Sequence, residues 1–292
     1  MGLRLRFRNG WTIWHLYAAV AIVAACVLVT GSAWADLLNI GLKDEESSHI
    51  LLVPLVVAWL VWVRRGRLRA LEPGDRWVGT VILGIGWFLW SVGYRWQVQS
   101  FWHTGAVAMV VGGLLTATGK DLFLKFAPAF VVLLFLVPVP ATARQAIAIP
   151  LQKATAHVTQ NVGEVLGMDI ARQGNLLSIN GTEVAVVEAC NGMRMVFTLF
   201  LACYVFAFVT PLRPYVRFIV LATSPLVAVV ANVIRLVPTV WVFGHASPNV
   251  ADEFHTISGW VMLVLAFLGL MGIVRLLRWA LVPVAPFTLA AT

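Results

Sequence analysis

Apolar residues come in long unbroken runs along this chain, and the polar residues gather between them. Eight runs read as helices: residues 11–35, 50–63, 77–94, 102–119, 122–137, 195–209, 215–243 and 257–277. A helix rises ~1.5 Å per residue, so ~20 apolar residues cross a hydrocarbon core of ~30 Å. The runs are continuous rather than alternating, which predicts helices and not a barrel. The expected fold is all-α and polytopic, with about eight transmembrane helices in one integral domain, 1–292. The second run is short and needs a thinned bilayer and snorkelling by the arginines that follow it. Pro138 and Pro140 end the fifth, because two prolines so close cannot continue a helix.

The insert 138–190 has a different pattern. Between Ala141 and Met168, apolar residues mix with Gln145, Gln152, Lys153, His157, Gln160 and Glu164. That mixture predicts one or two amphipathic helices, too polar to span and suited to the membrane surface. A short β-hairpin then precedes the sixth helix: Leu176–Ile179, an Asn180-Gly181 turn, and the alternating run Thr182–Glu188. Asn-Gly between apolar runs signals a hairpin because both turn residues accept positive φ.

Charge gives these helices a direction. With both ends inside, inner segments hold 14 Lys/Arg and 3 Asp/Glu, and outer segments hold 7 and 10. This is the asymmetry of the positive-inside rule, and moving the register by one span reverses it. The net charge of +8 is therefore a topology signal and not a nucleic-acid footprint. Ala33-Trp34-Ala35 resembles a signal-peptidase site, but the first run is longer than a signal h-region, so a retained anchor is expected. Cys26, Cys190 and Cys203 form no CxxC pair and no even framework, which points to neither a disulfide scaffold nor a zinc site. The histidines show no ligand spacing, and neither metal nor other cofactor is expected.

The candidate chemistry falls at one depth, the outer ends of the last three spans. Cys190 stands where the hairpin enters the sixth helix; a helix N-terminus favours the thiolate, and Arg194 adds positive charge one turn on. In the seventh run, Arg217 and Arg235 are 18 residues apart, or ~27 Å along a helix, so Arg217 marks the inner surface and Arg235 the outer interface. Asn232 shares the face of Arg235. An arginine in an apolar span costs ~2.5–3.5 kcal/mol on insertion scales, so it commonly serves a site. His255 lies at the outer mouth of the eighth run. A thiolate that attacks a carbonyl, a histidine that moves the proton and an arginine that steadies the oxyanion together suit acyl transfer.

At these residues the sequence resembles the exosortase/archaeosortase family of membrane-embedded cysteine transpeptidases. Glu188-Ala189-Cys190-Asn191-Gly192-Met193-Arg194 is similar to the family's cysteine motif, in which serine often stands at the position of Asn191. Asn232-Val233-Ile234-Arg235 resembles its Asn-x-x-Arg motif, and Phe254-His255 followed by Gly259 its histidine motif. Ser48-His49 before Leu52-Val53-Pro54, and Val137–Pro140, resemble further landmarks. The resemblance implies that Cys190 is the nucleophile, Arg235 the oxyanion or substrate-binding residue and His255 the acid/base. Arg194, Asn232, Glu188 and His49 would then be supporting residues, with Arg194 a rival to Arg235. It also implies secreted substrates with a C-terminal tail of a short Pro-Glu-Pro-like motif, an apolar span and a basic cluster. The new C-terminus passes to an unidentified acceptor, often alongside exopolysaccharide production. The implied location is the bacterial inner membrane, with both termini cytoplasmic and the active site extracytoplasmic. Two other classes fit the residues alone: a non-enzymatic component of exopolysaccharide export, and a thiol acyltransferase acting on lipid.

Overall fold

The computed structural model describes residues 13–71, 74–185 and 192–279. The chain folds as two compact units, Met1–Pro140 and Ala141–Thr292.

In the first unit, α1 (Ile13–Val29) turns through 73° into α2 (Gly31–Lys43). The single straight helix expected over 11–35 is therefore corrected to a bent pair. Thr30 explains the bend locally: its hydroxyl donates to the Cys26 carbonyl and accepts from the Trp34 indole. A Thr side chain that bonds back to the i−4 carbonyl bends a helix, and Gly31 follows it with nothing packed against its open side. A 3-10 stretch, Glu45–Leu52, leads into α3 (Val53–Val63). The hairpin of α4 (Trp77–Trp96) and α5 (Gln99–Thr118) makes the body of the unit. The next helix, α6 (Lys120–Val132), contains Pro128, is kinked at Phe126 and runs out in a 3-10 turn, Leu133–Leu136.

Glycine decides how closely α4 and α5 pack. Gly79, Gly86 and Gly93 recur every seven residues on α4, and Gly105 and Gly112 do so on α5. At each of these a Cβ would meet backbone of the opposite helix: Thr116, Met109 and Trp102 from the α4 side, Trp90 and Leu83 from the α5 side. Lipid tails are as apolar as leucine, so helix association in a membrane gains from this close backbone approach. Beyond α5, Gly119 adopts φ +86° and sits on Gly74, while the Lys120 backbone N–H donates to the Asp75 carbonyl. The Asp75 carboxylate accepts from Trp77 N–H and from the Lys120 ammonium, and these hold its pKa below the usual carboxylate value.

The second unit opens with α7 (Ala141–Val165), a single helix where one or two were expected. Three short strands follow: β1 (Ile170–Gln173), β2 (Leu176–Ile179) and β3 (Thr182–Ala185). They form an antiparallel sheet in sequence order, with Ile170 opposite Ile179 and Ile179 opposite Thr182. The Asn180-Gly181 turn is as predicted, with φ of 52° and 77°. β1 is an addition, closed by the two-residue loop Gly174-Asn175 with Gly174 at φ 68°. Then come α8 (Gly192–Val209), α9 (Pro214–His245) and α10 (Pro248–Trp279). The last begins nine residues before the expected start of its run.

Four helices of the described residues are long and apolar enough to cross a membrane: Trp77–Trp96, Gln99–Thr118, Pro214–His245 and Pro248–Leu276. The bent pair α1 and α2 makes a fifth if counted as one span. The expected runs 50–63 and 195–209 correspond to shorter apolar helices, and 122–137 is interrupted by the Pro128 kink. The protein is thus a largely helical multi-pass membrane protein with a small sheet.

The glycine packing gives a paired prediction. Gly112→Ala places a methyl against Leu83 backbone, which has no rotamer to yield, and is expected to lower stability by about 1–3 kcal/mol or more. Gly84→Ala on the same hairpin meets open space and is expected to be neutral. Thermal unfolding in detergent separates the two.

Candidate active site

The three helices α8, α9 and α10 pack through small and aliphatic side chains. Leu199, Cys203 and Ala207 of α8 meet Val216, Val220, Ala228 and Ala231 of α9 and Ala266, Leu270 and Val274 of α10. Only two residues separate α9 from α10, so they run antiparallel as neighbours. Gly269 of α10 faces Val227 of α9, and Gly259 faces Arg235, eight residues further along α9.

Arg235 is the buried charge in this packing among the described residues. It is 5% exposed, and Asn232, three residues earlier on the same face, is 7% exposed. The Thr239 hydroxyl, fully buried, donates to the Arg235 carbonyl at 2.8 Å. The Arg235 guanidinium lies against α10 at Gly259, where a Cβ would stand 3.1 Å from Nη1. His255 precedes Gly259 by four residues, so the two share one face of α10. Nε of Arg235 and Nδ1 of His255 are both buried. Arg235 of α9 and the His255–Gly259 turn of α10 thus lie along one interhelical seam. The far end of α9 carries the other arginine, Arg217, whose guanidinium lies over the Phe208 ring, 5.3 Å from its centroid.

The helix α9 does not stop at Arg235. It continues for ten more residues to His245, ~15 Å further. That extension carries the sheet. Leu236 and Val240 pack with Ile170, Leu177, Ile179 and Val184 and with Ala156 of α7, and Phe243 closes the cluster. The surface helix predicted between Ala141 and Met168 thus rests one stripe on α9 and the sheet, leaving Val158, Val162, Val165 and Leu166 exposed. At the turn, the Asn180 amide donates to the Gly244 carbonyl and to Nε2 of His245. Nδ1 of His245 must carry the proton, because its partner is the Trp241 carbonyl, which only accepts. Ile179 fills the space left by Gly244.

The remaining predicted residues divide as follows. Cys190 and Glu188 lie outside the described residues, as does the end of the predicted strand beyond Ala185. Arg194 is in the first turn of α8, which opens at Gly192, two residues after Cys190 in the chain; its side chain also lies outside the described residues. The supporting candidate His49 belongs to the first unit and is buried there, 6% exposed. A pair that the sequence reading did not single out is Asp36 of α2 with His103 of α5, Oδ2 to Nε2 3.0 Å, the imidazole fully buried. Periodicity gives no sign of it, since the two are 67 residues apart in the chain.

The model of the transmembrane exosortase family matches residues 34–272. The match takes in the cysteine, Asn-x-x-Arg and histidine segments together. No curated protein and no solved structure matches the chain.

Replacing an entire buried ion pair by apolar side chains is often neutral, whereas removing one member of a buried, partnered set costs about 3–5 kcal/mol. Arg235→Leu is therefore expected to lower stability by about 3 kcal/mol in detergent melts, and Arg235→Lys, which keeps the charge, by less. An Arg235→Leu melt indistinguishable from the wild type would show that the buried guanidinium contributes nothing to the packing of α9.

Proposed function

The chain belongs to the transmembrane exosortase family, and from that premise we propose that it is a membrane-embedded cysteine transpeptidase or endopeptidase acting on C-terminal sorting signals. Family membership supports a role in sorting-signal processing at a membrane. The observation that carries the finer reading is the buried seam of α9 and α10, which holds Arg235 on the helix face of His255. An apolar bundle that brings a guanidinium within one helical turn of a histidine supplies two of the three residue types that acyl transfer needs.

Cys190 is the third. In the proposed reaction its thiolate attacks the scissile carbonyl, and the Arg235 guanidinium stabilises the oxyanion of the tetrahedral intermediate. His255 gives a proton to the departing amine as the C–N bond breaks, leaving a thioester on Cys190. It then takes a proton from the acceptor nucleophile, which attacks the thioester and regenerates the thiolate. Arg194, Asn232 and Glu188 flank these groups in sequence and support substrate binding; His49 joins them only by family resemblance.

The substrate is a secreted protein whose C-terminal tail has a short motif, an apolar span and a basic cluster. Such a tail is itself a membrane helix, which accounts for an enzyme built from spans. The proposed topology uses α1, α3, α4, α5, α6, α8, α9 and α10 as eight crossings, the shorter ones in a locally thinned bilayer. The proposal places both termini in the cytoplasm, which the Lys/Arg distribution favours. The sheet and the end of α9 beyond Arg235 are then extracytoplasmic, on the inner membrane of a bacterium.

A secreted reporter bearing such a tail tests the proposal in cells expressing the wild type or Cys190→Ala. Cleavage is expected to vanish in the mutant at unchanged membrane level, and His255→Ala is expected to reproduce the loss. Cleavage that persists in Cys190→Ala would favour a non-enzymatic role in export.

A further inference from the structure

We infer that Gly259 is a positioning residue for the reaction, the seat on α10 that holds the Arg235 guanidinium on the face of His255. The inference rests on the proposed function for its catalytic readout, and on geometry alone for its structural one.

Three glycines of α10 have distinct surroundings. Around Gly272 there is open space, and Gly269 meets a Val227 methyl at 3.8 Å, an ordinary contact. At Gly259 the neighbour is a charged group, Nη1 of Arg235, only 3.1 Å from where a Cβ would stand. Glycine inside a helix is a poorer helix former than alanine, so a glycine here needs a compensating reason. The missing methyl supplies one: it leaves a shallow notch one turn from His255, and the guanidinium occupies it. Arg235 is 5% exposed, so the planar head has no bulk water to swing into. Its Cα-side geometry is fixed as well, by the Thr239 hydroxyl on its carbonyl. The notch thus bounds the far end of the side chain on its α10 side.

A methyl at 259 pushes against the tip of a flexible side chain and not against backbone. The fold therefore survives Gly259→Ala, while the guanidinium moves by a few tenths of an ångström away from its seat. Misplacement of a catalytic group by ~1 Å can cost ~100-fold, so a loss of about ten-fold in kcat/KM is expected, falling mainly on kcat.

The test is a double-mutant cycle on the full-length protein in nanodiscs, with a synthetic tail peptide as substrate. The variants are Gly259→Ala, Arg235→Lys, their combination, and Gly272→Ala as a control for helix propensity. Gly272→Ala is expected to process the peptide like the wild type. The ammonium of lysine is compact and lacks the planar fork, so Gly259→Ala is expected to cost less than about two-fold in the Arg235→Lys background. An equal loss in both backgrounds would show that Gly259 acts other than through Arg235 and would overturn the inference. A second readout is independent of activity: the 15N guanidinium resonance of Arg235, identified by its disappearance in Arg235→Lys. It is expected to shift in Gly259→Ala and to stay in place in Gly272→Ala; an unmoved resonance would equally overturn the seat. Failure of the proposed function is distinct, since there the wild type itself would leave the peptide uncleaved, or Cys190→Ala would cleave it as fast as the wild type, while the resonance readout would still decide the seat.

Discussion

Burying a guanidinium among apolar helices is the constraint on which the second unit is organised. The cost is of order ~2.5–3.5 kcal/mol on insertion scales and is reduced only where the charge is given a shaped polar place. Here Asn232 and Thr239 share the face of α9 with Arg235, and Gly259 opens α10 to it. Around this point the packing is otherwise alanine, valine and leucine. Such surroundings exclude water, and in a water-poor site a fixed positive charge acts strongly on a developing oxyanion.

The length of α9 links that charge to the sheet. One half of the helix packs with α8 and α10; the turns after Arg235 carry β1, β2, β3 and α7 on Leu236, Val240 and Phe243. The hairpin is tied at its tip by Asn180 to the very end of α9. One continuous helix therefore carries both the guanidinium and the surface on which the sheet docks. A site assembled from distant segments gains precision when its parts are borne on a common helix rather than on loops.

The first unit solves a different problem with the same residue type. In its α4–α5 hairpin, glycines at seven-residue spacing bring two backbones into direct contact. The Asp36–His103 pair ties α2 to α5 after the bend at Thr30. Glycine thus serves close helix approach in one unit and charge placement in the other, and substitutions should read differently at the two kinds of position.

Much of this was legible in the sequence because it rests on local patterns. Apolar run lengths located α3 to α6 and α8 to α10, and Asn180-Gly181 located β2 to the residue and the start of β3. Gly174-Asn175 carried the same two-residue hairpin signal for β1, and the glycine heptads of Gly79, Gly86, Gly93 and Gly105, Gly112 were also there to be read. That the Arg235 level of α9 meets the His255–Gly259 stretch of α10 followed from helix rise and run order. What the sequence did not hold was the meeting of side chains from separate helices. The 73° turn at Thr30, the Asp36–His103 pair, the docking of the sheet on the end of α9 and the notch at Gly259 depend on which faces pack together. A linear pattern states which face of a helix is apolar or polar; only the packed tertiary structure selects the partner that each face meets.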